Sequence, residues 1–350
     1  MKKFNYIDLA KTITMFLVIL FHNLLFFADN PYWLFNADYK NDTAIFLCNI
    51  LNCTVVPLFV FCSGFLFQIS IQKKEISTAT AILKRTKRLL LPYLLYGLLW
   101  LVPTYTIFDI PSYGRPKGSS LIDGYKFMLL GQFSDVAWFL LMLFWVSIIW
   151  IILRKLLKKE RFIIGVAAAT ALYFAAHNLL SGVVYYALNQ IDVFIVIFFA
   201  GASFFWISDK INKLPMLILL LISVLAMLVC AMLAQYASLN YWLYSVLAII
   251  MPVIMVIFAI GLCKLKLQAH TENTCIYRWL LKNNMAIYLM QSPVMYLSFM
   301  IFYPIIGKDC FLCVAISYIF TIAFDFIIVL LLTNTRSALM KLYEIFNCRN

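Results

Sequence analysis

Charge is scarce in this chain of 350 residues: Asp, Glu, Lys and Arg together make up 12% of it. A soluble domain carries about a quarter of its residues as charged groups. It could not hide a composition that is 65% hydrophobic with a mean hydropathy of +0.93. Water-soluble classes are therefore excluded, and lipid is the main solvent. Histidine is scarcer still: three residues, none in an H-x-x-x-H or H-x-x-E pair, which argues against a metal site. The nine cysteines form no framework. Cys310 and Cys313 make an isolated C-x-x-C with no second pair, and they read as apolar filler. No soluble domain, low-complexity tract or internal repeat is visible, so residues 1–350 read as one domain.

Acidic residues are also outnumbered, 15 against 28 basic ones, for a net charge of +13. In a soluble protein this excess would suggest nucleic acid. Here the basic residues cluster in short gaps between apolar stretches and report topology, so the bilayer is the expected partner and nucleic acid is not. Ten apolar spans are expected, at about 9 to 27, 44 to 70, 89 to 108, 136 to 153, 162 to 180, 187 to 207, 215 to 236, 241 to 262, 284 to 304 and 310 to 333. With the N-terminus inside, all 28 Lys and Arg except Lys40, Arg115, Lys117, Lys126 and Lys308 fall on the cytoplasmic side. The cytoplasmic set includes Lys2, Lys3, Lys73, Lys74, Lys84, Arg85, Lys87, Arg88 and the run Arg154 to Arg161. The expected fold is thus an all-α, multi-pass membrane protein of about ten helices, with both termini in the cytoplasm. Trp33, Trp138 and Trp242 fall near the outer interface, and Trp150, Trp206 and Trp279 near the inner one. The first span is too long and lacks the cleavage site of a signal peptide, so it reads as retained. The longest external loop, from Asp109 to Ser134 with Pro111, Gly114, Pro116, Gly118 and Gly124, is the expected substrate lid or binding loop.

The few polar residues inside the spans carry the functional signal. His22 lies in the first span, eleven residues after Lys11 and fourteen after Asp8. An ionisable side chain in hydrocarbon costs about 2.5 kcal/mol or more, so such groups face a bundle interior and serve a pathway or a reaction. Eleven steps of about 100° return a helix to within about 20° of its starting azimuth, which puts Lys11 and His22 on one face. A rise of about 1.5 Å per residue from Leu9 sets His22 about 20 Å into a core of about 30 Å. Two readings stand side by side: a neutral imidazole tying helices together, or one that moves a proton or accepts an acyl group. Lys11 with Asp8 reads either as an interfacial pair or as a basic mouth. Asp192 and Asp325 need partners; by depth these are His22 for Asp192, and Lys11 or Arg85 for Asp325.

Four separated blocks resemble the acyltransferase 3 family, integral membrane enzymes that acylate cell-surface glycans and other acceptors. They are Tyr6-Ile-Asp8-Leu-Ala-Lys11 with His22; Val56-Pro57-Leu-Phe-Val-Phe-Cys-Ser63-Gly64-Phe65; Lys84-Arg85-Thr-Lys87-Arg88-Leu-Leu-Leu-Pro92-Tyr93; and the pair Ala137-Trp138-Phe139-Leu140 with Ala286-Ile287-Tyr288-Leu289. The resemblance implies that His22 is the essential histidine, acting as general base or acyl carrier, with Lys11 and Asp8 beside it. Lys11 stands where many members have Arg, which keeps the charge but loses the bidentate fork. It further implies that Lys84, Arg85 and Arg88 grip the phosphates of an acyl-CoA donor, although cytoplasmic topology alone would also place basic residues there. Ser63 is expected to line the donor site or pack helices, with Gly64 leaving room for the pantetheine arm. "SGF" is not a hydrolase nucleophile elbow. Gln291 replaces a histidine often found there in the family, and no chemistry is expected of it.

The implied activity is O-acyl transfer, most simply acetyl from acetyl-CoA, to a hydroxyl of a cell-surface or lipid-linked carbohydrate, in the inner (cytoplasmic) membrane and without a metal. The rival reading is a multi-span transporter or flippase for a glycan or small polar solute, for which intramembrane Asp192 and Asp325 would be suited but no inverted repeat is found. A structural assembly subunit is a third class; it predicts that His22 and Arg88 matter only for expression.

Overall fold

Apolar runs flanked by Asn, Ser and Thr become capped helices. In α2 (Asp42–Asn52) the Asn41 side chain accepts from the Ala44 amide at 3.0 Å, and in α12 (Tyr241–Cys263) Asn240 does the same for Trp242 and Leu243. This computed structural model describes residues 5–28, 36–73, 77–111, 117–132, 135–237, 239–265, 274–307 and 309–347. Among them every element is helical, and the protein is an all-α, multi-pass membrane protein. Lys2, Lys3, Trp33, Lys74, Gly114, Arg115, Pro116, Lys308 and the end of the expected lid at Ser134 lie outside the described residues.

The remaining elements, in order, are α1 (Asn5–Leu25), α3 (Val55–Lys73), α4 (Thr78–Arg85), α5 (Leu91–Tyr96), α6 (Val102–Ile107), α7 (Leu121–Leu129), α8 (Trp138–Ile152), α9 (Phe162–Leu180), α10 (Ile191–Ile211), α11 (Met216–Ala237), α13 (Cys275–Ile306) and α14 (Cys310–Asn347). Nine stretches among the described residues are long and apolar enough to cross a membrane. They match nine of the ten expected spans. The tenth, expected at 136 to 153, is α8. At 15 residues it is about 22 Å long, short of a hydrocarbon core of about 30 Å. Its environment explains how a short helix serves there. Leu140, Met142, Val146, Ser147 and Trp150 are fully buried, so protein rather than lipid surrounds most of its length.

Two spans are interrupted well inside their length. The second breaks at Cys53–Thr54 between α2 and α3. The third runs α4, a π turn over Thr86–Leu90, α5, a π turn over Gly97–Leu101, then α6. Pro92 and Pro103 each stand two residues beyond a π turn, and the widened turn accommodates the missing N–H and the ring. The expected lid differs too: its described part is mostly α7, opened by a Ser120 cap on the Asp123 amide and pinned to α5 by the Tyr93 hydroxyl donating to Met128 O at 2.5 Å. Gly124 and Met128 face the bundle, while Leu121, Ile122 and Leu129 stay exposed.

Burial separates interior from periphery. α10 and α1 are mostly buried, whereas α11 presents Leu217, Leu221, Leu225, Leu228 and Met232 outward. Trp150, expected at the inner interface, is instead fully buried, donating its indole N–H to Ile195 O at 3.0 Å and stacking on Phe199. The closest helix approach joins α3 and α10. A Cβ at Gly64 would lie 2.0 Å from Phe198 O, and one at Gly201 would lie 2.0 Å from Phe61 O. Small residues permit such backbone contact, as expected for the Ser-Gly pair. The space beside Gly64 is therefore filled by α10, which rules out the expected pantetheine passage at that position.

Candidate active site

The four motif blocks, far apart in sequence, converge on α3. Phe59 of α3, Phe139 of α8 and Tyr288 of α13 form an aromatic trio with centroids 5.6 to 5.9 Å apart. Such pairs contribute about 0.5–1.5 kcal/mol each beyond area burial. Tyr288 also donates to Val136 O at 2.9 Å, fixing α13 to the entrance of α8. Tyr6 of α1 meets Phe65 of α3 edge-on at 6.0 Å. In the third block, the Arg85 guanidinium lies 5.3 Å over the Phe67 ring of α3, a cation–π contact.

Within this frame α1 carries both of its expected groups on its interior side. Lys11 Nζ lies 3.4 Å from Asp8 Oδ1, one turn earlier on the same helix, and both are partly exposed. Cys62, next to Ser63, lies within the electrostatic reach of both. The Lys11 carbonyl accepts from Asn284 Nδ2 of α13 at 3.2 Å. Further along, His22 is 8% exposed and has the Gln291 amide of α13 beside it. So α3 and α13 flank the face that runs from Lys11 to His22, and the two helices touch each other at Phe59 and Tyr288.

At the basic end, Arg85 closes α4 and Arg88 lies in the following π turn, close enough for the two guanidiniums to feel each other's charge. Arg85 is half-buried, and Lys84 and Arg88 are exposed. Two like charges held together at a widened turn can grip a polyanion from outside. Ser63 is half-buried on α3, one turn before the Phe67 that Arg85 covers.

The expected aspartate pairings are overturned. Asp192 opens α10 and accepts from the Tyr241 hydroxyl at 2.5 Å and from the Val193 amide at 2.7 Å, and it meets His177 Nδ1 at 3.0 Å; its partner is His177, not His22. The His177 ring stacks between Tyr241 and Tyr173, with centroids at 4.9 and 6.0 Å. Asp325 is paired with neither Lys11 nor Arg85, because Lys11 turns to Asp8 and Arg85 to Phe67. Both Asp325 oxygens are buried without a hydrogen-bond partner among the described residues.

Sequence reasoning set Gln291 aside and passed over Asn284. A signal for both was present. Asn284, Gln291 and Ser298 recur every seven residues, which puts a polar stripe on one face of an apolar helix.

No curated protein and no solved structure matches this chain. The acyltransferase 3 family model, described as an acyltransferase domain, matches residues 4–333 and so takes in all four converging blocks, from α1 through the apolar part of α14. A bundle that gathers those blocks on α3, next to the helix of a buried histidine, and is matched over nearly its whole length belongs to the acyltransferase 3 family and is a membrane acyltransferase.

Proposed function

We propose that the protein moves an acyl group, acetyl in the simplest case, from acyl-CoA at the basic end to a hydroxyl of a carbohydrate acceptor that reaches His22 from the opposite side. The observation that carries this reading is the line of groups along α1. An ion pair, Lys11 with Asp8, stands on the same helix as a buried imidazole, and a doublet of guanidiniums, Arg85 and Arg88, sits against the neighbouring helix α3.

Each group has a stated task. Arg85 and Arg88, with Lys84, hold the CoA phosphates by charge-assisted hydrogen bonds. Lys11, fixed by Asp8, continues that positive path toward the interior, and Ser63 borders the route of the arm. His22 takes the proton of the acceptor hydroxyl as its oxygen bonds to the acyl carbon and the C–S bond breaks. Alternatively, its ring nitrogen carries the acyl group between donor and acceptor. Either way the sum is thioester plus alcohol giving ester plus free thiol. The setting is the inner membrane, with a lipid-linked or surface glycan as acceptor.

The test is purified protein in lipid with acetyl-CoA, scored by thiol release and by acyl transfer to a membrane glycan fraction. His22→Ala, folded and inserted normally, should lose about a hundredfold or more in rate. Wild-type turnover by that variant would overturn the reading. Trapping an acyl group on the wild-type protein but not on His22→Ala selects the carrier route over the base route.

A further inference from the structure

Between Asn283 and Ser298, α13 carries a series of buried polar side chains, and most of them hold something. Asn283 donates to Trp279 O at 2.9 Å, Asn284 to Lys11 O of α1 at 3.2 Å and Tyr288 to Val136 O at 2.9 Å. Ser292 shares a hydrogen bond with Tyr105 of α6 at 2.9 Å, and Ser298 is bonded to Ser317 of α14. Gln291 departs from this pattern. It is 1% exposed, and neither of its amide atoms makes a hydrogen bond among the described residues. A buried amide left so costs stability, so holding the fold together does not account for it.

Two contacts fix where Gln291 stands against α1. Asn284 meets Lys11, and Phe299 stacks on Phe26 at 4.1 Å. Fifteen residues separate Lys11 from Phe26 and fifteen separate Asn284 from Phe299, so the two helices run parallel and in step. Gln291 follows Asn284 by seven residues, which returns it to within about 20° of the azimuth that faces α1. Its level on α1 is Val18, one turn or about 6 Å short of His22, a gap that a glutamine side chain spans. Its amide accordingly lies beside the His22 imidazole. α14 packs against both helices, with Tyr318 donating to Phe16 O at 3.3 Å and Phe326 meeting Phe16 and Trp279. Past His22 the seam is shut by Phe26, Phe27, Phe299 and Tyr303. Gln291 therefore stands between the Lys11 and Asp8 pair and the imidazole, on the side from which the donor comes.

Acyl transfer places a negative charge on the carbonyl oxygen of the thioester as the acyl carbon is attacked. In a site walled off from water that charge needs a donor already in place. The cations are held elsewhere: Lys11 is paired with Asp8, eleven residues before His22, and Arg85 lies over Phe67. Nearby neutral donors are spent, Asn23 on Ile19 O and Ser292 on Tyr105. The Gln291 amide is not, and a neutral N–H donates whatever the proton count of its neighbours.

We propose that Gln291 is a catalytic residue of the acyl transfer, its side-chain N–H donating to the thioester carbonyl oxygen as charge builds there. The assignment rests on the reading of His22 above and deepens it. The acceptor oxygen bonds to the acyl carbon and gives its proton to His22, while the carbonyl electron pair moves onto oxygen, where Gln291 Nε2 holds it. The pair then returns, the C–S bond breaks and the imidazole passes the proton to sulfur. If the ring nitrogen attacks first, as an acyl carrier, the same oxygen develops the same charge, so both routes use the donor.

Kinetics and binding test this together. Gln291→Met, the closest apolar match in length, should lower kcat with acetyl-CoA about a hundredfold or more. KM should stay within a factor of about two, as should Kd for S-ethyl-CoA, a thioether analogue that has no carbonyl oxygen. Gln291→His, which restores an N–H donor, should recover part of the loss. The residual thiol release of His22→Ala should fall further in the double variant with Gln291→Met, because the amide acts on the substrate directly. A wild-type kcat in Gln291→Met, a matching loss of affinity for S-ethyl-CoA, or a double variant no slower than His22→Ala overturns the assignment alone. If Gln291→Met fails to insert, Gln291→Leu carries the same measurements. A wild-type protein that binds S-ethyl-CoA yet releases no thiol from acetyl-CoA with glycan present overturns the acyl-transfer reading, and the use given to Gln291 falls with it.

Discussion

Asp192 and Asp325 are both at most 5% exposed inside membrane helices, yet they sit in opposite surroundings. Asp192 has the imidazole of His177, the hydroxyl of Tyr241 and the amide of Val193, with Tyr173 and Tyr241 stacked on the imidazole. It binds α9, α10 and α12 together at the end away from Arg85. Asp325 lies in the seam of α1, α13 and α14 with no partner among the described residues. Burial of a polar group is compatible with stability only when its hydrogen bonds are made, so the first arrangement is a clamp and the second contributes nothing to holding the fold together. Removing the first should damage the fold, and removing the second should leave it intact.

The largest effect on stability is expected for Asp192→Leu. It strands the Tyr241 hydroxyl and one nitrogen of His177, and should cost about 2–3 kcal/mol. Thermal unfolding of the detergent-solubilised protein would register this as a clear fall in Tm; an unchanged Tm would show that the clamp is not one. Tyr241→Phe removes a single hydrogen bond while keeping the ring stacked on His177, and should cost about 1 kcal/mol by the same assay. If the two losses were equal, the hydroxyl alone would carry the cluster.

The pair Lys11 and Asp8 lies between these extremes, partly exposed and 3.4 Å apart. Such pairs contribute about 0–1 kcal/mol, so Asp8→Asn should move Tm little. Its expected signature is kinetic: a severalfold rise in KM for acyl-CoA, because a freed Lys11 no longer holds its place on the α1 face. A large fall in Tm with unchanged KM would make the pair structural and bring it to the Asp192 side of the comparison.

How much of this was legible in the sequence follows from what membrane sequences encode. Apolar length marks each span, and nine of the ten were placed with modest boundary shifts. What length does not encode is which neighbour a span faces, because lipid and protein interior are equally apolar. Trp150 reads as an interface residue and is buried, α8 reads as an ordinary span and is a short interior helix, and Asp192 reads as level with His22 but pairs with His177. The break at Cys53–Thr54 and the two π turns depend on local backbone accommodation that hydropathy does not report. Of the candidate site, the α1 pattern was legible because all its members share one helix. The seam was not, since it needs the register of three helices, although the polar residues at seven-residue steps on α13 and four-residue steps on α14 already announced two faces that meet.

The smallest stability effect separates the two aspartates most sharply. Asp325→Leu replaces a carboxyl that makes no hydrogen bond among the described residues with an apolar group in an apolar, fully buried place, so no neighbour loses a bond. Substituting an unsatisfied buried polar group in this way is close to neutral or stabilising, within about 0.5 kcal/mol once the slightly larger side chain is accommodated. Tm should stay level or rise. That is the reverse of what Asp192→Leu should show. A fall in Tm as large as that of Asp192→Leu would mean that Asp325 has structural partners after all, and the contrast between the two aspartates would fail at the residue on which it rests.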